Sequence, residues 1–215
     1  MENLKFALFL LIALAPSLIL HEYAHAVTAD RLGDPSPRRW GRLGFNPKPM
    51  IDPFGTIILP GLILLLVASG HGLALLPIFA YAKPMPIDPS YLKNRDRDTT
   101  FIALAGPLTN LAIAAVAGIL LRVGSSGDLG LFVRAVLVVN LFLFVFNLMP
   151  VPGLDGAKIL ARLLPPRPRE VYTGLDHYLV LFILVIFFLL AGPLLAVVRA
   201  LAGGVCAVLA GSVNC

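Results

Sequence analysis

Long apolar runs separated by short polar stretches set the pattern of the chain. The first, from about Leu4 to Ala29, is long enough at about 1.5 Å per residue to cross a hydrocarbon layer of about 30 Å as a helix. Runs over Thr99 to Leu121, Leu131 to Met149 and Tyr178 to Val198 predict further membrane helices. Between the first two lie Phe54 to Ser69 and, after Gly70, His71 and Gly72, a shorter apolar piece from Leu73 to Tyr81. That piece is too short to span, and Pro60, Gly61 and Pro77 interrupt the pair, so it reads as one span plus a broken or re-entrant return. At the far end, Ala200 to Ala210 is too short to cross unless a kink at Gly192 and Pro193 divides the run differently. The expected fold is an all-α polytopic membrane protein of about five to six transmembrane helices, forming a single integral-membrane unit over residues 1–215. Its core falls at about 4–160 and its C-terminal helices at about 175–210. Near residues 38–52, Gly41, Gly44, Pro47 and Pro49 break any helix, and GRLGFN predicts a short irregular or extended segment.

Composition agrees with that pattern. Of 215 residues, 58% are hydrophobic and only 13% charged, with a mean hydropathy of +0.88, far outside the balance of a soluble domain. The opening run carries no small-residue cleavage site ahead of its histidines, so it is expected to stay in the mature protein. The net charge is +5, and the 17 lysines and arginines gather in loops. Such charge sets topology and meets lipid headgroups; it does not indicate nucleic-acid binding. The positive-inside tendency assigns the loops at 30–52, 83–98 and 158–169 to the cytoplasm and the sparsely charged link at 122–130 to the outside. Cys206 and Cys215 are too few for a disulfide scaffold or a thiolate zinc site.

Inside the first run stands LILHEYAHAVTA, from Leu18 to Ala29, with polar side chains where none are expected. His21 and His25 are four residues apart and so stack on one helix face, with Glu22 about 100° further round. Insertion scales put each charged group at mid-bilayer at roughly 2.5–3.5 kcal/mol, and such groups are kept mainly for function. The H-E-x-x-H spacing is that of a zinc metalloprotease: two imidazoles hold the ion and a carboxylate serves as general base for water. His21 and His25 are therefore the candidate ligands and Glu22 the candidate base.

Two later stretches bear on this pair. In the run after Thr99, Gly106 and Pro107 read as packing residues, whereas the Asn110 amide needs partners and could hold a substrate backbone or orient a metal ligand. The following run places Asn140 and Asn147 at lipid depth and ends in NLMPVPGLDG. Two histidines leave a catalytic zinc short of one protein ligand, and Asp155 is the acidic candidate outside the first run. The same aspartate, followed by Gly156, also suits a turn or the start of a helix.

HEYAH in one span, GPLTN in a later one and NLMPVPGLDG in the next together resemble the site-2 protease family of intramembrane zinc metalloproteases, over about Leu18 to Leu160. AYAKPMPIDP and GRLGFNPKPMIDPFGT are similar to its compact prokaryotic branch without a PDZ domain, with Met50 standing where that branch often has histidine. The resemblance implies a three-helix catalytic core carrying these motifs, one zinc ion bound by His21, His25 and Asp155, water activation by Glu22, and Asn110 and Asn147 near the substrate. It also implies a multi-pass protein of a prokaryotic cell membrane, with the active site toward the cytoplasm and a transmembrane protein or peptide as substrate. A membrane metal transporter and a non-catalytic scaffold are the competing readings. Neither explains Glu22.

Overall fold

The computed structural model describes residues 2–44, 48, 51–58, 61, 85 and 87–210. It is all-α, with no strand among the described residues. Helix α1 (Glu2–Arg31) gives way to a single short turn of helix, α2 (Ser36–Arg39). Two long helices, α3 (Arg95–Val123) and α4 (Gly127–Asn147), are followed by the short α5 (Asp155–Leu163) and α6 (Pro166–Thr173), and then by α7 (Leu179–Val205). Among the described residues, α1 from Leu4, α3 and α4 are the helices long and apolar enough to cross a membrane. The spans expected over residues 54–69 and 73–81 lie mostly outside the described residues, as does His71. Helix α7 continues through Gly192 and Pro193 to Val205, so residues 179–205 form one helix.

Around residues 38–52 the chain, where described, takes the irregular and not the extended form of the expected segment. Ser36–Arg39 is helical, residues 40–43 form turns, and Pro53–Ile58 winds as a π-turn. Paired proline and arginine residues here favour compact turns, with Pro37 at the start of the helical turn where its missing N–H costs nothing. The remainder of GRLGFN, Phe45 and Asn46, and Met50 lie outside the described residues.

α1, α3 and α4 pack pairwise into a three-helix core, with α7 laid against α4. Ala13, Leu14 and Leu18 of α1 meet Ala114 and Ala117 of α3 and Leu137 and Leu141 of α4, closed by Leu194 and Val198 of α7. The connection from α3 to α4 is only Gly124 to Ser126, and Gly124 adopts φ +115°, a left-handed conformation that ends the helix and turns the chain back. Short connections of this kind make neighbours antiparallel. At that end an exposed ion pair, Lys5 Nζ to Asp128 Oδ1 at 3.1 Å, joins the starts of α1 and α4.

The opposite end is basic and more heavily tied. Arg38 forks onto Asp30 with contacts of 2.7 and 3.1 Å. Asp34, fully buried, accepts the backbone N–H groups of Ser36 and Asp88 and so joins the end of α1 to the segment leading into α3. Asn94 caps α3 by accepting the Arg97 N–H, and Asp98 returns the favour at the Asn94 N–H. It is at this end that α1 finishes, α3 begins, α4 finishes and α5 begins.

Candidate metal centre

One face of α1 repeats every four residues as Ala13, Ser17, His21, His25 and Ala29, and each of these is buried. The spacing keeps them in line along the side of the helix that faces α3 and α4. His21 and His25 are each 3% exposed, with ring centroids 4.6 Å apart in an edge-to-face arrangement. Against them stands α3, whose Ile102, Gly106 and Asn110 share a face by the same rule. The His25 Nδ1 lies 2.6 Å from the Ile102 carbonyl oxygen, and the His21 Nδ1 lies 2.5 Å from Asn110 Oδ1.

Those two contacts fix the chemistry of the rings. A carbonyl oxygen can only accept, so each Nδ1 carries a proton, and in the neutral ring each Nε2 keeps a lone pair. The lone pairs converge: the two Nε2 atoms are 3.0 Å apart. Gly106 makes this convergence possible. A Cβ built on it would lie 2.6 Å from both Cε1 and Nε2 of His21 and closer still to Nε2 of His25. A residue that the sequence pattern assigns to helix packing therefore borders the histidine pair directly.

The third group arrives from α5. Asp155 is its first residue, 5% exposed, and its Oδ2 lies 3.1 Å from His21 Nε2 and 3.0 Å from His25 Nε2. Its other oxygen, Oδ1, accepts from Lys158 Nζ at 3.0 Å, one turn along the same helix. Burial disfavours the charge on Lys158, but the Asp155 carboxylate outweighs it and raises the pKa above the ordinary lysine value. Gly156 lets α5 start this close to the end of α4. A Cβ there would sit 2.5 Å from the Leu148 carbonyl carbon and from the Met149 carbonyl oxygen, and nearer still to the Leu148 oxygen.

His21, His25 and Asp155 thus bring together three candidate metal-ligand atoms, all within 4.8 Å of one another. Facing lone pairs repel unless a cation joins them. A triangle with sides of 3.0–3.1 Å accommodates an ion about 2.0–2.2 Å from each corner, the range for zinc with imidazole and carboxylate. The ligands come from residues 134 positions apart at most, yet meet at one end of the bundle.

Beside this group, Glu22 Oε2 is a buried carboxylate oxygen with no hydrogen-bond partner among the described residues. Such an atom ordinarily requires a partner, and a water at the metal position would supply one. Arg42, 3% exposed, approaches from the segment after α2. Burial lowers its guanidinium pKa from the ordinary value, and the charge of Glu22 opposes that shift. The sequence pattern marks Arg42 and Lys158 only as topology-setting charges; the burial of Arg42 and the contact of Lys158 with Asp155 depend on how the helices pack.

Asn110 is fully buried between His21 and α4. Asn147 lies at the C-terminal end of α4 with its amide bonded back to Leu143 O at 2.9 Å, and no described hydrogen bond joins it to His21, His25 or Asp155. Asn140 and Ser17, neither of them a candidate from sequence, connect to Asn110. A polar residue at lipid depth that needs a partner was the available signal for Asn140. Ser17 shares the four-residue spacing of the two histidines.

Comparison with known proteins places relatives beside this geometry. The chain is 34% identical to the protein YwhC of Bacillus subtilis over 189 residues, covering 83% of this chain and 80% of YwhC. It is 34% identical to MJ0611 of Methanocaldococcus jannaschii over 152 residues, covering 70% of this chain and 68% of that protein. Rip2 of Mycobacterium tuberculosis is 32% identical over 174 residues, covering 80% of this chain but 63% of Rip2, so the chain spans less than two thirds of that relative. All three are named as zinc metalloproteases. No family model matches the chain, and no solved structure matches it significantly.

Proposed function

The chain belongs to the zinc metalloprotease family of YwhC and MJ0611, and from that premise we propose that it is an intramembrane protease of the site-2 type, in the compact branch without a PDZ domain. It hydrolyses a peptide bond within or near the membrane span of another membrane protein. The observation that carries this reading is the meeting of His21 Nε2, His25 Nε2 and Asp155 Oδ2 on the core of three helices, each apolar and long enough to cross a bilayer. A soluble metalloprotease has no need of such surroundings.

In this reading His21, His25 and Asp155 hold one zinc ion, which when bound polarises the scissile carbonyl and acidifies a water at the site. Glu22 would accept a water proton at Oε2 as the water oxygen bonds to the scissile carbonyl carbon, and would pass that proton to the amine as the C–N bond breaks. Its partnerless buried oxygen supports this role. Lys158 holds Asp155 Oδ1, which keeps Oδ2 turned to the histidines. Asn110 orients His21, and Asn147 serves the substrate backbone at the end of α4. The substrate helix must unwind to expose its carbonyls, because an intact helix uses them internally.

The protein sits as a multi-pass unit in a prokaryotic cell membrane. The basic end of the bundle, with Arg31, Arg38, Arg39 and Lys158, faces the cytoplasm and brings the site with it. The test is cleavage of a model transmembrane substrate by the purified protein. Cleavage is expected to stop with chelator, return with zinc and fall about 10²–10⁴-fold in Glu22→Gln. Zinc transport that persists in Glu22→Gln, with no cleavage by the parent protein, would instead favour a transporter.

A further inference from the structure

A chain of buried side chains leads from the metal centre back into the bundle. His21 Nδ1 donates to Asn110 Oδ1 at 2.5 Å, and Asn110 Nδ2 donates to Asn140 Oδ1 at 2.9 Å. Asn140 Nδ2 donates to Ser17 Oγ at 2.9 Å and to Val136 O at 2.8 Å, and Ser17 Oγ donates to Ala13 O at 2.7 Å. Ser17, Asn110 and Asn140 are 4%, 0% and 0% exposed, so the chain of bonds is shielded from bulk solvent.

The direction of every bond follows from the two backbone carbonyls at the far end. Ala13 O can only accept, so the Ser17 hydroxyl spends its proton there and offers Asn140 a lone pair. Val136 O also only accepts. Both neighbours therefore call for N–H donors, which turns the Asn140 amide so that its oxygen faces Asn110. Asn110 must then present its NH₂ to Asn140 and its oxygen to His21. The His21 ring in turn must carry its proton on Nδ1, which leaves Nε2 free as a ligand.

We infer that Asn140 and Ser17 are positioning residues for the metal centre: through the Asn110 amide they set which nitrogen of His21 is available to the ion. The inference rests on the metal-site reading and adds to it two residues, on α4 and α1, that touch no ligand ion. It also gives a reason for a fully buried amide in the middle of α4, where packing alone would favour an apolar side chain.

The test measures zinc affinity of the full chain in detergent by competition with a chelator, alongside circular dichroism to confirm folding. Asn140→Leu is expected to weaken zinc binding about 10–100-fold, as loss of a supporting partner to a histidine ligand does. The same substitution in an Asn110→Leu background is expected to add little, because the path to His21 is already cut. An unchanged affinity, or the same fold loss in both backgrounds, would overturn the inference. Should Asn140→Leu not fold, Ser17→Ala decides by the same competition: a several-fold loss of zinc affinity that disappears in the Asn110→Leu background is expected, and an affinity unchanged by Ser17→Ala overturns the proposal. A parent chain that binds no zinc overturns the metal-site reading, and with it this inference.

Discussion

Gly106 has no side chain where His21 presents its Nε2, and a Cβ there would come within 2.6 Å of that nitrogen. The space a methyl group would take is the space between the imidazole ligand atoms. Gly106→Ala is expected to reduce zinc affinity by at least about 100-fold, more than loss of a supporting partner does, because both imidazoles must turn away. Titration of the metal-free variant with zinc, set against the unaltered chain, measures this. Equal affinity would mean that the histidines do not converge as described.

Gly156 fulfils the equivalent role for the third ligand, at the approach of α5 to the end of α4. Gly156→Ala forces its Cβ onto backbone carbonyls, which cannot give way as a flexible side chain could. A destabilisation of about 1–3 kcal/mol is expected from overpacking. Because Asp155 is the adjacent residue, zinc affinity should fall as well. Chemical unfolding in detergent, followed with and without zinc, separates the two effects: the loss of stability should appear even without the ion.

Zinc should stabilise the folded chain in proportion to its occupancy. Free zinc at about 100 times its Kd is expected to add about 2.7 kcal/mol to the unfolding free energy, seen as a rise of the melting temperature that chelator reverses. Asp155→Asn weakens a ligand while keeping its shape, and should remove most of that rise. Glu22→Gln should keep it, since Glu22 is assigned to water and not to the ion. A Glu22→Gln chain that loses the zinc-dependent rise would move Glu22 into the ligand set.

Much of the site could be read before any coordinates. The spacing of His21 and His25 places them on one face of any helix, and their position in an apolar run makes them conspicuous. The same reasoning finds α1, α3 and α4 because each is a continuous apolar run bounded by caps or turn residues. What periodicity cannot supply is the register between helices. Asn110, Asn140 and Ser17 sit on three different helices, and their hydrogen bonds exist only once α3 and α4 are set at one particular height against α1. Gly106 escaped for a related reason: small residues in apolar helices ordinarily serve close packing, and only the packed partner reveals that two imidazoles lie opposite. Arg42 and Lys158 were legible as charges but not as a buried guanidinium and a partner of Asp155. After α2, Gly41 takes φ +67° and residues 40–43 form turns, so the irregular segment that the glycines and prolines predict is seen there, while the helical turn of Ser36–Arg39 is a local detail set by Pro37.

Zinc stoichiometry at a fixed free zinc concentration, compared between the parent chain and Asp155→Ala, addresses the core of the account. If a carboxylate from the start of α5 closes a site begun by two histidines of α1, the parent chain holds one ion and the variant, at the same free zinc, holds less than about a tenth as much. An Asp155→Ala chain that binds zinc as fully and as tightly as its parent would contradict it.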